Sequence, residues 1–316
     1  MSTKTFDVAT FGEAMMLLIA DRPGPLENAE FFSKRIAGAE INVATGMARL
    51  GFNTHWASRL GADSMARYLI QQMKSEGVHC EHVVLDPAQK TGFQIKGRSD
   101  DGSDPQVEYH RKGSAASLMT PADIDEPWLA SARHLHATGV FAAISDTSLA
   151  TAKRTLEIAR AAGSSISFDP NLRPTLWKDE ATMRREINAL AAGADWVFPG
   201  LAEGELLTGH KTPEAVAKFY RDQGAKLVVV KLGEAGAYYD DASAGTGYVD
   251  GCPVEKVVDT VGAGDAFAVG VISGLLDGKS VPEAVKRGCW IGALQVQVLG
   301  DSEGLPTRAA LTAAGY

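Results

Sequence analysis

The chain has 316 residues and a formal net charge of −8 at pH 7, with 45% hydrophobic and 22% charged residues. This composition is typical of a globular protein, and the length suggests roughly two domains. The negative charge argues against a nucleic-acid or anionic-membrane partner, which would need a basic surface. The three cysteines lie too far apart in sequence to predict a disulfide framework or a metal site. This cysteine usage predicts a cytoplasmic protein, and we expect no signal peptide because the apolar run at 14–20 is too short for a membrane span and lacks a basic leader.

The first part of the chain predicts two groups of strands. A strand at 6–11 stops at Gly12, a helix follows Gly38 and ends near residue 50, a strand spans 56–61, and a helix spans 64–75. Extended runs at 15–19, 31–36, 91–97 and 107–111, with a loop at 99–104, are read as a separate small sheet. We therefore predict a β lid from 14–36 and 91–112, inserted into a core made of 1–13, 37–90 and 113–316.

From residue 134 onward, strands and helices alternate. Strands are predicted at 134–137, 165–169, 196–198 and 227–231, and helices at 148–162, 180–192, 203–207 and 213–223. This alternation predicts an α/β fold with a doubly wound, mostly parallel sheet flanked by helices. Because such sheets bind ligands at the carboxyl ends of their strands, one rim should carry polar side chains from several strand ends. These side chains are Asp169, Arg173, Glu203 and Lys231.

A nine-residue motif, DTVGAGDAF at 259–267, stands just before a predicted small-residue helix at 266–276. Gly262 and Gly264 allow close approach of a ligand at a helix start, which is a ready anion site. Asp265 lies beside that site, where a phosphoryl-transfer enzyme needs an acceptor for the proton of a substrate hydroxyl. In the alternative interpretation, Asp265 merely caps the helix.

Three other polar segments have both a functional and an ordinary interpretation. The rigid loop DPNLRP at 169–174 could position Arg173 to bind a phosphate or carboxylate, although its other polar residues are common in turns. The cationic segment YHRKGSA at 109–115 lies on the predicted lid, and by itself it reads as a solvated basic turn. Asn42, in the first turn of a predicted helix, could be a capping residue. His134 and His136 alternate on one strand with no third ligand in view, so we interpret them as structural.

The 259–267 motif, together with AGAEINVA at 37–44, resembles the ribokinase-like (phosphofructokinase-B type) sugar kinases, and the resemblance covers nearly the whole chain. Ala37 replaces the first glycine of the N-terminal pattern. The resemblance implies that Gly262, Ala263 and Gly264 form an anion hole and that Asp265 is the catalytic base. It further implies a sugar site that includes Gly12, Gly38 and Asn42.

Two segments resemble the 2-keto-3-deoxygluconate kinases within that family, namely YHRKGSA and DPNLRP, although the second is shared with fructokinases. The resemblance implies that Tyr109, Arg111 and Arg173 bind a keto-acid substrate, with an arginine facing its carboxylate. Gln94 stands where some members have a tyrosine. The preferred function is therefore ATP-dependent phosphorylation of the terminal hydroxyl of a sugar acid. A fructokinase or other neutral-sugar kinase is the alternative within the family, and a non-catalytic sugar or nucleotide sensor is the alternative outside it.

The resemblance also implies how cofactors are bound. Glu203 matches the glutamate of the family's Asn-x-x-Glu motif, which organises magnesium, but the asparagine position holds Gly200. A nucleotide site is implied at Lys231, Gly233, Gly236, Gly262 and Gly264. The expected cofactors are ATP and Mg2+, with a monovalent cation as an optional third, and a homo-oligomer formed through the lid is the expected assembly.

Overall fold

The computed structural model describes residues 4–98 and 106–316, so the predicted loop at 99–104 lies outside the described residues. The described strands, in chain order, are β1 (Phe6–Phe11), β2 (Met15–Ala20), β3 (Phe32–Ala37), β4 (Thr54–Gly61), β5 (His79–Asp86), β6 (Phe93–Lys96), β7 (Val107–His110), β8 (Ala132–Thr138), β9 (Ser165–Asp169), β10 (Trp196–Val197), β11 (Leu227–Lys231), β12 (Ala237–Asp241) and β13 (Gly245–Val249). The helices are α1 (Ala39–Arg49), α2 (Ser64–Ser75), α3 (Glu126–Ala130), α4 (Gly139–Ala143), α5 (Asp146–Ala161), α6 (Glu180–Ala192), α7 (Leu201–Thr208), α8 (Pro213–Asp222), α9 (Ala263–Leu276), α10 (Val281–Gln295) and α11 (Arg308–Ala313).

The larger sheet has the strand order β13-β12-β11-β10-β9-β8-β1-β4-β5. Its pairings from β11 through β5 are parallel, whereas β12 and β13 add an antiparallel edge. The predicted α/β class with a mostly parallel sheet is confirmed. Because the strands from β8 to β11 run side by side in parallel, their carboxyl ends meet at one rim.

The smaller sheet has the order β3-β2-β6-β7, and its strands come from the two segments predicted as a lid. The strands β2 and β6 pair in parallel, while β3 and β7 pair antiparallel on either side. In the β6–β7 register Gln94 stands opposite Tyr109. This pairing places Gln94, which stands where some family members have a tyrosine, beside Tyr109, a predicted substrate-binding residue.

Three strands were not predicted: β5, β12 and β13. The strand β5 is an edge strand with several exposed or half-exposed residues, so it lacks the continuous apolar run of the buried strands. The hairpin β12–β13 continues the sheet past Lys231, and the sequence had suggested only the turn that precedes it. The sequence of β13 is rich in glycine and its positions are mostly exposed, so this strand, like β5, lacks the apolar run from which a strand can be predicted.

Hydrophobic clusters line both faces of the larger sheet. On one face, helix α9 is buried along most of its length and packs closely on α10. A Cβ atom at Gly270 would lie 2.4 Å from the Cα atom of Gly288, so both helices need glycine at this crossing. The opposite face buries side chains of β8 and β9 against α5 and α6. The N-terminal end of α9, where the 259–267 motif lies, is therefore fixed by the packing of this helix on α10. In the described part of the chain no helix has the length and apolar character needed to cross a bilayer.

Candidate active site

Two adjoining cavities meet at the start of α9. The first, of about 350 Å3, lies between the small sheet and the rim of the larger sheet. Ten predicted site residues line it: Gly38, Asn42, Tyr109, Arg111, Arg173, Glu203, Lys231, Gly262, Gly264 and Asp265. The second, of about 380 Å3, is mostly apolar, and its lining includes Lys231, Gly233, Gly236, Ala263 and Gly264. Lys231 and Gly264 border both cavities, so they mark the place where two ligands could meet.

The carboxyl group of Asp265 faces the first cavity and is held by two side-chain amides. Asn42 donates from Nδ2 to Oδ2 of Asp265 at 2.7 Å, and Asn171 donates to Oδ1 at 3.1 Å. Asp265 is the third residue of α9, yet the residue at the N-cap is Gly262, and no side chain in the described part of the chain caps this helix. The geometry therefore does not match the alternative in which Asp265 is a capping carboxylate. Asn42 is not a cap either, since α1 is preceded by Gly38.

Burial raises the pKa of Asp265 to about 8. The amide of Asn42 and the ammonium of Lys231 act in the opposite direction, while the nearby carboxylates of Asp169 and Glu40 raise the pKa further. A carboxyl group with a pKa near the working pH can both take up and release a proton, which is the property expected of a general base.

The backbone before α9 approaches a neighbouring turn closely. Gly262 has a φ of +79°, and a Cβ atom there would lie 2.1 Å from the carbonyl oxygen of Asp301. Both observations require glycine at this position. A Cβ atom at Gly264 would lie 3.4 Å from Nζ of Lys231, so this glycine keeps the helix start close to a cation. The amides of the first helical turn and the ammonium group together form a site suited to a phosphate.

Lys231, the last residue of β11, forms an ion pair with Asp169, the last residue of β9, at 2.5 Å between Nζ and Oδ2. Burial lowers the pKa of Lys231, but the carboxylates of Asp169 and Glu203 outweigh that effect and the pKa is raised. Lys231 is therefore charged at neutral pH. As expected for the rim, the two strand ends bring their side chains to the same place.

The two predicted substrate arginines have different surroundings. Nη2 of Arg111 lies 2.5 Å from Oε2 of Glu13, and Oε1 of the same carboxylate accepts a hydrogen bond from the hydroxyl of Ser114. Arg173 is exposed, and among the described residues its guanidinium donates only to the carbonyl oxygen of its neighbour Leu172, at 2.8 Å. Among the described residues, four cations line the first cavity, namely Lys96, Arg111, Arg173 and Lys231. Within residues 4–98 and 106–316, Arg173 is the one of these four that has no acidic partner.

Both carboxylate oxygens of Glu203 accept hydrogen bonds from backbone amides. Oε1 accepts from Leu172 at 2.7 Å, and Oε2 accepts from Gly200 at 2.7 Å. The second contact closes the N-terminus of α7, and the first fixes the loop that carries Arg173. A Cβ atom at Gly200 would lie 3.1 Å from Oε2, so a larger residue there would crowd this arrangement. Glu203 therefore connects the Arg173 loop to the rest of the rim.

The glycines near the N-terminus have positive φ angles and very close neighbours. Gly38 has a φ of +147°, and a Cβ atom there would meet the carbonyl oxygen of Glu13 at 2.5 Å. Gly12, with a φ of +152°, does not line either cavity and instead packs behind the carboxyl group of Glu40. Glu40 does line the first cavity; it accepts a hydrogen bond from Thr138 at 2.6 Å, and its burial raises its pKa to about 7.

Sequence reasoning did not identify Glu13, Glu40 or Lys96, and it treated Asn171 as an ordinary turn residue. The one signal available for Asn171 was its place in the DPNLRP loop, beside Arg173. In the structure Asn171 has a φ of +37°, the only positive φ of a non-glycine residue in the described part of the chain. This uncommon conformation directs its amide toward Asp265.

His134 and His136 are fully buried and hydrogen-bond to serine hydroxyls of β9, at 2.8 Å in each case. Burial lowers the pKa of both imidazoles. These contacts agree with a structural role. His134 and His136 do not belong to a group that could share a metal ion in the described part of the chain. Such a group is formed there by His55, His79 and Glu81, on β4 and β5.

Residues 5–308 match the profile of the pfkB family carbohydrate kinases. The chain belongs to this family. Its activity class, phosphoryl transfer to a carbohydrate, is thereby established, and the predicted resemblance is confirmed.

Within the pfkB family, the 2-dehydro-3-deoxygluconokinase of Bacillus subtilis (strain 168) is 50% identical over 303 residues, which cover 96% of this chain and 93% of that protein. A crystal structure of a PfkB protein from Polaromonas sp. JS666 is 66% identical, with a TM-score of 0.91, over 98% of this chain and 100% of that one. A fructokinase double mutant from Vibrio cholerae O395, solved with fructose, ADP and a potassium ion, is 28% identical with a TM-score of 0.84. That alignment covers 98% of this chain and 99% of the other.

Proposed function

We propose that this carbohydrate kinase transfers the γ-phosphoryl group of ATP to the terminal hydroxyl of a sugar acid. The proposed substrate is 2-keto-3-deoxygluconate, also called 2-dehydro-3-deoxygluconate, and the proposed product is its 6-phosphate. The Bacillus subtilis relative with 50% identity carries the corresponding name, which supports this choice.

The observation that carries the choice of a sugar acid is the charge state of the first cavity. Lys96, Arg111 and Lys231 are each neutralised by an adjacent carboxylate, whereas Arg173 has no acidic partner among the described residues. An uncompensated guanidinium in a protein of net charge −8 gives an anionic substrate a local binding site, and its planar fork suits a carboxylate. A neutral sugar would leave this cation without a partner.

Asp265 is the proposed base. As the oxygen of the substrate hydroxyl bonds to the γ-phosphorus, Asp265 takes the hydroxyl proton, and the bond from phosphorus to the bridging oxygen breaks to release ADP. The amides of residues 262–264 and the ammonium of Lys231 would stabilise the charge on the transferring group. The two amides that hold Asp265 keep its carboxyl group oriented toward the cavity.

The two cavities support separate sites for the two substrates. The first would hold the sugar acid, with Gly38, Asn42, Tyr109 and Arg111 as further contacts. The second, apolar cavity would hold the nucleotide base and ribose between the 233–236 turn and α10. Lys231 and Gly264, which border both cavities, would then face the phosphates.

Magnesium fits this site as an ion held mainly by phosphate oxygens and water. The carboxylate oxygens of Glu203 already accept backbone amides, and Asp169 is paired with Lys231. Neither presents a fully open ligand set, but Mg2+ usually keeps several waters and needs few protein ligands. Glu203 and Asp169 would orient those waters, and the ion would offset phosphate charge.

Segments 14–36 and 91–112 are proposed to act as a lid that closes over the sugar acid and excludes water. The lid would also be the contact between protomers of a homo-oligomer, because Phe31 and Phe32 are 70% and 38% exposed on it. A cytoplasmic location, where ATP is available, completes the proposal.

A coupled assay of ADP release across sugars and sugar acids tests the proposal. Turnover of 2-keto-3-deoxygluconate with a kcat/KM well above that of fructose is expected. Preference for fructose would replace the sugar-acid assignment with a fructokinase, and ATP turnover independent of any sugar would contradict both.

A further inference from the structure

Lys96, which borders the first cavity, lies in a buried acidic cluster with Asp301 and with Asp259, the first residue of the 259–267 motif. Its Nζ atom is 2.5 Å from Oδ2 of Asp259 and 3.7 Å from Oδ1 of Asp301. The side chains of Lys96 and Asp259 are each 1% exposed, and that of Asp301 is 6% exposed. Lysine is almost never fully buried unless it is paired, because removing its ammonium group from water is costly.

The two aspartates of the cluster hold the proposed anion hole in place. Asp259 accepts the backbone amide of Val261 at 3.1 Å through Oδ1 and that of Gly300 at 3.3 Å through Oδ2. The backbone carbonyl of Asp301 lies against the α-carbon of Gly262. The loop that presents the amides of residues 262–264 is thus fixed from two sides by residues that contact Lys96.

The cluster depends on Lys96 for its charge balance. Oδ1 of Asp301 is buried and has no hydrogen-bond partner among the described residues, and the ammonium 3.7 Å away is its counter-charge. Burial raises the pKa of Asp301 to about 6, and Lys96 opposes that rise. Without the ammonium, two buried carboxylates would repel each other and would also repel a phosphate in the anion hole.

We propose that Lys96 is a positioning residue whose ammonium serves as a resident monovalent cation of the Asp259–Asp301 cluster. The lysine holds the anion-hole loop in its active geometry, so no dissolved alkali cation is needed at this place. The inference rests on the proposed phosphoryl transfer. It departs from the expectation of a free monovalent cation, because the buried position between the two aspartates is already filled. Lys96 belongs to β6, so the small sheet holds the anion-hole loop through this residue. Displacement of the small sheet would therefore move the Lys96 ammonium away from Asp259 and Asp301.

The test compares the unmodified protein with Lys96→Ala and with the matched control Lys34→Ala. Lys34 lies on β3 of the same small sheet, is exposed, and stacks on Tyr68. Thermal unfolding and steady-state kinetics are measured in choline, lithium, sodium, potassium and methylammonium chloride at constant ionic strength. The unfolding series needs no turnover, so it reports on the cluster even if the substrate assignment is wrong.

For the unmodified protein, neither the melting temperature nor kcat should change among the five salts. The same independence of the salt is expected for Lys34→Ala. In choline, Lys96→Ala should melt at a lower temperature and lose about 10- to 100-fold in kcat, the range expected for a charged hydrogen bond. One or more of the small cations, but not choline, should restore part of both quantities, because the vacated space lies between two carboxylates. If Lys96→Ala lost stability and kcat only through altered packing, the small cations would restore neither quantity more than choline does, and that result would contradict the proposal.

Selective activation of the unmodified protein by potassium would overturn the proposal, as would a normal kcat of Lys96→Ala in choline. If Lys96→Ala does not fold, Lys96→Arg decides. This variant keeps the charge, so it should fold and show no response to potassium, and a potassium requirement in it would contradict the proposal. Absence of turnover on any sugar by the unmodified protein would instead refute the proposed function.

Discussion

The side-chain amide of Asn42 donates to the carboxyl group of Asp265 at 2.7 Å, although the two residues are 223 positions apart. One lies in the first helix and the other at the start of α9, and α1 packs directly against α9. At Gly46 the approach is close enough that a Cβ atom would lie 2.6 Å from the side chain of Val269. The orientation of the proposed base is therefore set by the packing of two helices.

Substitution of Asp265 by asparagine should abolish most activity and leave nucleotide binding intact. The variant keeps the shape of the side chain but removes the proton acceptor, so turnover should fall by roughly 10²-fold or more. Initial-rate assays and calorimetric titration with ATP measure the two effects. Asp222→Asn, on the exposed face of α8, is the control and should behave as the unmodified protein. Near-normal turnover of Asp265→Asn would mean that another group accepts the proton.

The raised pKa of Asp265 predicts opposite pH dependences of activity and stability. Since the base must be deprotonated, kcat/KM should rise with pH to a plateau above about 8. The folded pKa exceeds the unfolded value of 3.8, so the favourable contribution of this group to folding is complete below that value. It is lost as pH rises through about 8.

Melting temperatures at pH 6 and pH 9 measure the stability effect, with Asp265→Asn as the reference. The unmodified protein should lose more stability over this interval than the variant. Asn42→Ala should move the kcat/KM profile to higher pH, because the Asn42 amide lowers the pKa of Asp265. An unmoved profile would show that a different group controls the pH dependence.

Loss of the Glu203 carboxylate should weaken the use of magnesium. With Glu203→Ala, the amides of Leu172 and Gly200 lose their acceptor, and the proposed water network around the ion loses its anchor. The magnesium concentration for half-maximal rate should therefore increase. Glu205→Ala removes an exposed carboxylate from the same helix and should leave the magnesium dependence unchanged. Equal magnesium curves for the two variants would argue against this role of Glu203.

Removal of the Arg173 guanidinium should discriminate between acidic and neutral substrates. A charged hydrogen bond is worth about 1.5–3 kcal/mol, so Arg173→Ala should reduce kcat/KM for 2-keto-3-deoxygluconate by about 10- to 100-fold. Turnover of fructose should change much less, because fructose has no carboxylate. Arg173→Lys keeps the charge but not the planar fork. Its kcat/KM for 2-keto-3-deoxygluconate should lie between those of the unmodified protein and of Arg173→Ala. Similar losses on both substrates would identify Arg173 as a residue that shapes the loop.

Polar substitutions on the small sheet should dissociate the proposed oligomer. Phe31→Ser combined with Phe32→Ser removes the exposed aromatic area, so light scattering after size exclusion should report a smaller mass than for the unmodified protein. Leu118→Ser alters a residue of comparable exposure outside the small sheet and serves as the control. A monomeric unmodified protein, or an unchanged mass for the double variant, would contradict assembly through the lid.

The sequence by itself determined the fold class and most of the elements. Alternating apolar strands and helices predicted the parallel sheet, and the helix at 64–75 and the strands at 165–169 and 227–231 were predicted with the bounds that the structure has. The 259–267 motif is local and specific, so the family and the position of Asp265 could be inferred from the order of residues alone. Edge strands such as β5 and β13 could not, because exposed strands lack a strong apolar pattern.

Only the tertiary structure decided which charges neutralise each other. The pairs Arg111–Glu13, Lys231–Asp169 and Lys96–Asp259 join residues at least 62 positions apart, and no local pattern marks them. Ion pairing in a buried site depends on distances of a few ångströms between side chains from different elements, which sequence spacing does not encode. The family resemblance made both Arg111 and Arg173 candidates for binding the substrate, and the fold left only Arg173 without an acidic partner among the described residues.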